Sequence, residues 1–315
     1  MVAVLKPLLK TYADIKALKI QGAEAVAAKS VNALAQEMEA SPAKTRKGFV
    51  KEMRETVAFL KNSRPTEPAL RNALRFMLLR TMESKETDVV ALKQLVEQEA
   101  REYHENALRT KLKIAEYGSR LVPKGASVLV HCHSSTVMRV LKKAQDDGKK
   151  PKVFCTESRP LYQGRISAKE LSDYGIDTTL VVDSAVSTVL RKMSDEDVVF
   201  VGADAITSEG DLINKIGTCN IATLAKEHGK AFYPCTGTHK FDPLTLWGES
   251  ERIEERSADE VWKKKERPRK LRVMNPAFDV TPASCVTAFV TELGVVPPSS
   301  LIGLLWKRFG LEEEG

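Results

Sequence analysis

A cysteine and an aspartate end two apolar runs, and together they could supply the acid and the base of a proton-transfer reaction. The run ASVLVHC ends on Cys132 and the run VVFVGAD ends on Asp204, while KVFCTESRP between them carries Glu157 and Arg159. A thiol activated by nearby cations and a carboxylate can both move protons. Each residue alone also fits a structural role, because cysteines are often small buried apolar side chains and aspartates after strands often cap helices.

Two histidines, His131 and His133, flank the cysteine in a pattern that resembles a metal-binding cluster. In an extended strand successive side chains point to opposite faces, so the thiol of Cys132 would face away from both imidazoles. We therefore expect no metal ion here. A flanking histidine could still act on the pKa of the thiol, or simply cap the strand.

Several cations and one helix start indicate phosphate binding. Lys215 and Thr218 lie in INKIGT, just before the helical run CNIATLAKEHG, and exposed amides at a helix start suit a phosphate. Arg64 and Arg159 each precede a proline, and Lys240 lies in THKF, so these cations sit on stiff turns. The alternative is a well-capped helix with surface charges around it.

The elements that must position these residues change character near residue 120. Up to Gly118, apolar residues recur at three- and four-residue spacing, which predicts helices. After residue 125, short β-branched runs alternate with helical stretches, which predicts parallel strands joined by helices. We predict an α/β fold, with an N-terminal all-helical domain over residues 1–122 and a Rossmann-like parallel-sheet domain over residues 123–315. Ligands should lie beyond the carboxyl ends of the strands.

Composition excludes several classes of protein. The chain of 315 residues is 43% apolar and 29% charged, and no apolar run approaches the ~18 residues that span a bilayer. The first residues lack the apolar block and cleavage site of a signal peptide, so we expect a cytoplasmic protein without a membrane partner. The five scattered cysteines predict reduced thiols. The glycine spacing excludes GxGxxG, GxSxG and the P-loop.

One segment carries most of the net charge of +7. Residues 262–272 contain seven basic residues against the single acidic Glu266. A solvated loop is the simpler interpretation, and a surface for an acidic partner is the alternative. We expect no nucleic-acid partner.

The ordered series HCHSS, TESRPLYQGRISAKEL, GADAI, NKIGT, THKF and NPAFDVTP resembles a known superfamily. That superfamily holds the regulatory subunits of translation initiation factor 2B, the methylthioribose-1-phosphate isomerases and the archaeal ribose-1,5-bisphosphate isomerases. The resemblance covers residues 20–309 and is strongest to the last branch. It implies that Cys132 and Asp204 are the catalytic pair. It also implies a set of substrate-binding residues: Gly22, Arg64, Arg159, Asn214 and Lys215.

The function that the resemblance implies is the isomerisation of ribose 1,5-bisphosphate to ribulose 1,5-bisphosphate in nucleotide salvage, within AMP metabolism. It implies no cofactor, a phosphorylated pentose as substrate, and a homo-oligomer of dimers that form a hexamer, with AMP as a candidate activator. A noncatalytic regulatory subunit and a methylthioribose-1-phosphate isomerase are the alternatives. Two departures leave the exact sugar phosphate open: Gln21 replaces the arginine usual in this branch, and Ser135 and Thr136 stand where relatives often carry a lysine.

Overall fold

The chain divides into two units, of which the first is Met1–Arg109. All regular elements in the described part of this unit are helices. The computed structural model describes residues 6–20, 22–247 and 253–308. Apolar side chains at helical spacing pack into one core, in which Leu34, Phe49 and Leu70 are fully buried. The helices are α1 (Lys6–Lys16), α2 (Ala23–Glu39), α3 (Arg46–Lys61), α4 (Pro68–Glu83) and α5 (Val89–Arg120).

The division between the units falls inside α5, which is 32 residues long. The second unit is Thr110–Gly315, and its core includes Ile114 from the last turns of this helix. The predicted domain boundary after residue 122 stays a prediction; it falls between the end of α5 and the first strand, which begins at Ser127.

A five-stranded parallel sheet with the order β3-β2-β1-β4-β7 forms the centre of the second unit, as the βα pattern predicts. The inner strands β1 and β4 are short runs of buried Val, Leu and Phe, since helices cover both faces of such a sheet. The elements in chain order are β1 (Ser127–His131), α6 (Ser135–Asp146), β2 (Lys152–Thr156), α7 (Gln163–Asp173), β3 (Asp177–Val181), α8 (Val186–Leu190), β4 (Val198–Val201), β5 (Ala205–Ile206), β6 (Leu212–Lys215), α9 (Thr218–Glu227) and β7 (Ala231–Pro234).

Two smaller sheets that the sequence pattern does not predict complete the unit. An antiparallel sheet has the order β5-β6-β8, and β9 and β10 form an antiparallel pair. The remaining elements are α10 (Ala258–Val261), β8 (Phe278–Thr281), β9 (Phe289–Thr291), β10 (Gly294–Val296) and α11 (Pro298–Arg308). Among the described residues, no helix is long and apolar enough to cross a membrane.

Candidate active site

The two residues predicted to do chemistry follow neighbouring strands of the parallel sheet. The chain runs outwards from β1 through β2 to β3 and then returns to β4 on the other side of β1, with Leu129 paired to Val199. Such a reversal opens a crevice at the carboxyl ends of the two inner strands. Cys132 directly follows β1, and Asp204 lies three residues beyond the end of β4. The two strands are paired in parallel, so both residues follow strand ends at the same edge of the sheet.

Burial controls the acidity of the Cys132 thiol. Burial raises its pKa to about 11, the charge of Lys215 and the backbone N–H of His133 lower it, and the carboxylates of Asp204 and Asp183 raise it. Cys132, Asp204 and Lys215 thus lie within electrostatic reach of one another. The expected activation of the thiol by cations is outweighed by burial, so Cys132 is a protonated thiol at neutral pH and can donate a proton.

The backbone at Cys132 departs from the extended conformation assumed for HCH. Its φ is 65°, in the left-handed region, so the alternation of side chains along β1 stops at His131. Its N–H donates to the Ser158 hydroxyl at 2.8 Å, and its carbonyl accepts from the Ser167 hydroxyl at 2.9 Å. Among residues 6–20, 22–247 and 253–308, no three His, Cys, Asp or Glu side chains form a group that could hold a metal ion.

The buried imidazole of His131 connects β1 to the turn after β6. Its Nε2 lies 2.9 Å from the carbonyl of Ile216, which can only accept, so Nε2 carries the proton and Nδ1 accepts from the Thr156 hydroxyl at 2.6 Å. Burial lowers the pKa of His131, which keeps the ring neutral. His133 contacts Ser167 and lies 3.9 Å from the carboxylate of Glu170. The backbone N–H of His133 is the group of this residue that lowers the pKa of the thiol.

Asn214 and Lys215 end β6 beside the crevice. Asn214 is buried and donates through Nδ2 to the Thr218 hydroxyl at 3.0 Å, and that hydroxyl donates to the carbonyl of Lys215 at 2.6 Å. The ammonium group of Lys215 lies 5.0 Å from the centre of the Phe278 ring. A fixed amide and a cation next to Cys132 and Asp204 suit an anionic substrate.

A carboxylate occupies the helix start that the sequence suggests for a phosphate. Asp279 accepts the N–H of Gly217 at 2.7 Å and the N–H of Cys219 at 3.1 Å. Burial raises the pKa of Asp279 to about 6, against these two amide donors, which lower it. Two of the amides at the start of α9 are therefore bound to Asp279, and the N-cap is Gly217 instead of Thr218.

Lys240, on the turn in THKF, reaches the backbone next to Asp204. Its Nζ donates to the carbonyl of Ala203 at 2.6 Å. One residue earlier, Gly202 leaves room for Ser134, the N-cap of α6, because a Cβ at position 202 would lie 2.9 Å from the Cβ of Ser134. The start of α6 and the Lys240 ammonium therefore both lie against the segment that joins β4 to Asp204.

Arg159 lines a cleft of about 600 Å³ whose lining includes neither Cys132, Asp204 nor Lys215. Its guanidinium donates to the Tyr162 hydroxyl at 2.6 Å and to the carbonyl of Val261 at 3.0 Å. Its predicted role in substrate binding stays a prediction. Glu157, the other polar residue of this strand end, pairs with Arg165 at 2.8 Å. The cleft is lined by His131, Arg159, Asp183, Ser184, Val186, Ser187, Ile216, Gly217, Asn220, Ile221, Thr223 and Leu224.

Gly22 and Arg64, the two remaining predicted substrate-binding residues, belong to the N-terminal unit. Gly22 precedes α2 with a φ of 83°, a conformation that glycine adopts without strain. Arg64 lies 3.7 Å from the carboxylate of Glu67. Gln21, where the sequence departs from its relatives, lies outside the described residues.

Four residues of this region were not predicted from the sequence. Ser158 and Ser167 hold the backbone of Cys132, and Asp279 holds the start of α9. Asp183 accepts the N–H groups of Ser158 and Arg159, both at 2.8 Å. One signal existed for Asp183, because it directly follows the run TTLVV and so lies at the carboxyl end of a predicted strand. The other three depend on contacts between distant parts of the chain.

The fold and the site together define an α/β protein with a helical N-terminal unit and a cysteine–aspartate pair where the order of its parallel strands reverses. The sequence pattern of the Initiation factor 2 subunit family matches residues 19–298. The chain belongs to this family.

Relatives and solved structures agree with this assignment. The ribose 1,5-bisphosphate isomerase of Methanocaldococcus jannaschii is 39% identical over 305 residues, covering 97% of this chain and 96% of the relative. The structure of the Pyrococcus horikoshii translation initiation factor eIF-2B is similar with a TM-score of 0.80 and 28% identity, covering 95% and 99% of the two chains. That of 5-methylthioribose 1-phosphate isomerase from the same organism gives 0.77 and 31%, covering 97% and 88%.

Proposed function

We propose that this protein is an aldose–ketose isomerase that converts ribose 1,5-bisphosphate to ribulose 1,5-bisphosphate. The observation that carries the proposal is the position of Cys132 and Asp204 at the ends of adjacent inner strands, within electrostatic reach of Lys215. The similarity to proteins named ribose 1,5-bisphosphate isomerase supports the choice of substrate.

The protonation of the thiol suggests which residue acts as acid. Cys132 donates its proton to the ring oxygen of the sugar, and the bond between that oxygen and C1 breaks. The hydrogen on C2 moves with its electron pair to C1, and Asp204 takes the proton of the 2-hydroxyl as C2 becomes the carbonyl. Return of that proton from Asp204 to the thiolate restores both groups. Atoms and electrons balance within the substrate, so the reaction consumes no oxidant or reductant.

Cations and amides of the site offset the charge of the two phosphates. A buried phosphate needs positive partners, because an unpaired charge out of water is strongly unfavourable. The charge of Lys215 acts on the Cys132 thiol, Lys240 binds the carbonyl next to Asp204, and Asn214 supplies a fixed amide. The resemblance adds Gly22, Arg64 and Arg159 as substrate-binding residues.

Turnover of purified ribose 1,5-bisphosphate tests the proposal, with the product identified by mass and NMR. We expect ribulose 1,5-bisphosphate from the wild type and its loss in Cys132→Ser and in Asp204→Asn. Cys285→Ser is the matched control, because Cys285 is a half-buried thiol in a short turn and has no predicted role in the reaction. Full activity of folded Cys132→Ser, or no turnover by the wild type, would contradict the proposal.

Methylthioribose 1-phosphate is the second candidate substrate, since a solved isomerase for it has the same fold at 31% identity. The two sugars differ at C5, which carries a phosphate in one and a thioether in the other. Comparing kcat/KM for both sugars decides between them. A protein that binds initiation factor 2 tightly and converts neither sugar would instead be a noncatalytic regulatory subunit.

The cellular setting and the assembly follow from the same proposal. We propose that the enzyme acts in nucleotide salvage in the cytoplasm, as part of AMP metabolism, and that it forms dimers that assemble into a hexamer. Sedimentation of the purified protein measures the assembly, and addition of AMP to the turnover assay tests activation.

A further inference from the structure

Cys132 adopts a backbone conformation that the residues around it must maintain. Residues other than glycine rarely adopt a φ near 65°, the value at Cys132. They keep this conformation only where contacts with the surrounding structure hold it. Strand pairing of β1 ends at His131, so the strand ladder does not hold the next residue. Something else fixes Cys132 in this conformation.

Two fully buried serine hydroxyls bind the backbone of Cys132, one on each side. Ser158 Oγ accepts the N–H at 2.8 Å, and Ser167 Oγ donates to the carbonyl at 2.9 Å; both serines have 0% exposure. These two contacts satisfy the two backbone polar groups that the end of the strand leaves open.

The directions of these hydrogen bonds are determined by their partners. The carbonyl of Cys132 can only accept a hydrogen bond, so the Ser167 hydroxyl donates its proton to that carbonyl. The same hydroxyl then accepts a hydrogen bond from His133 Nδ1 at 3.1 Å. The Ser158 hydroxyl accepts from Cys132, which leaves its own proton for His131 Nδ1 at 3.4 Å or for Thr156 Oγ1 at 3.5 Å. The N–H of Cys132 therefore has a defined acceptor and its carbonyl has a defined donor.

Both serines are themselves held in place. The N–H of Ser158 donates to Asp183 at 2.8 Å, which anchors the turn after β2 to the end of β3. Ser167 lies one turn into α7, and Gly164 lets that helix approach β2, because a Cβ at position 164 would lie 1.7 Å from the carbonyl oxygen of Thr156. Close helix packing is thus what brings Ser167 to Cys132.

We propose that Ser158 and Ser167 are positioning residues that hold Cys132 in its left-handed conformation and so keep the thiol in the crevice beside Asp204 and Lys215. The effect of the two serines on turnover rests on the proposed isomerase function. Their effect on the position of the thiol does not depend on that function. Without either hydroxyl, the backbone relaxes towards an ordinary conformation and the half-buried thiol leaves its position beside Asp204 and Lys215.

Alkylation of Cys132 by iodoacetamide tests the proposal without the substrate. The labelled peptide is quantified by mass spectrometry, with Cys285 of the same molecules as the internal reference. In Ser158→Ala and in Ser167→Ala we expect the rate at Cys132 to rise about tenfold, because an exposed thiol ionises more readily. Ser172→Ala is the matched control, since Ser172 is an exposed serine of the same helix.

Turnover gives the second readout. In Ser158→Ala and in Ser167→Ala we expect kcat to fall about tenfold while KM changes by less than about threefold, because the misplaced thiol affects the chemical step more than binding. An alkylation rate at Cys132 that stays within about twofold of wild type in the folded alanine variants overturns the proposal. If Ser167→Ala fails to fold, Ser167→Cys keeps the shape with a weaker donor, and an unchanged rate there has the same consequence. A wild type without isomerase activity would refute the proposed function and leave the alkylation result standing.

Discussion

The left-handed backbone at Cys132 predicts an inverted order of stability for two small substitutions. At an ordinary position alanine is more stabilising than glycine by about 0.4–1 kcal/mol, because glycine has more freedom to lose on folding. In the left-handed region a Cβ costs about 1–2 kcal/mol that glycine avoids. With a φ of 65° at Cys132, the second effect exceeds the first, and Cys132→Gly should be more stable than Cys132→Ala by about 0.5–1 kcal/mol.

Thermal unfolding followed by circular dichroism measures this difference. For 150–250 residues, 1 kcal/mol shifts Tm by about 2–4 °C, so the glycine variant should melt about 1–4 °C higher. The matched pair is Cys155→Gly and Cys155→Ala, at a buried position within β2 that is not among the positive-φ residues. There alanine should melt higher. Equal or higher stability of Cys132→Ala relative to Cys132→Gly would refute the assignment of backbone strain.

Three further predictions concern the residues around the site. Burial raises the pKa of Asp279 to about 6, from 3.8. The wild type should therefore lose up to about 2 kcal/mol of stability relative to Asp279→Asn as the pH rises from about 4 to above 6. A pH-independent difference in Tm between the two proteins would contradict this. Gly164→Ala should destabilise the protein by more than about 3 kcal/mol in urea unfolding, since its Cβ would overlap the backbone of β2, whereas Gly303→Ala in the open part of α11 should not. Lys215→Met should slow alkylation of Cys132 at alkaline pH, because the lysine lowers the pKa of the thiol. An unchanged alkylation rate would show that the Lys215 ammonium is too far from the thiol to affect its pKa.

The parts of the fold that depend on local spacing could be predicted from the sequence. The apolar runs of β1 and β4 and the helical runs between them are visible in the order of residues, and the topology rule for such sheets then places Cys132 and Asp204 at one crevice. The specificity of the motifs, together with this placement, was enough to indicate the family.

The parts that depend on contacts across the chain could not be predicted. Asp279 reaches the start of α9 from 62 residues away, and Ser167 reaches the carbonyl of Cys132 from 35 residues away. The spacing of residues within one helix or strand does not indicate which distant residues contact it. The left-handed backbone of Cys132 was missed for the same reason, since the residues that stabilise it lie on β2 and α7.

Cys132 and Asp204 follow neighbouring inner strands of the sheet. The backbone of Cys132 is also held by Ser158, in the turn after β2, and by Ser167 on α7. Substitutions and insertions in parts of the chain that contact none of these residues can therefore accumulate without shifting the sulfur relative to the carboxylate. The same fold can in this way support an isomerase of one sugar, an isomerase of another, or a protein without isomerase activity.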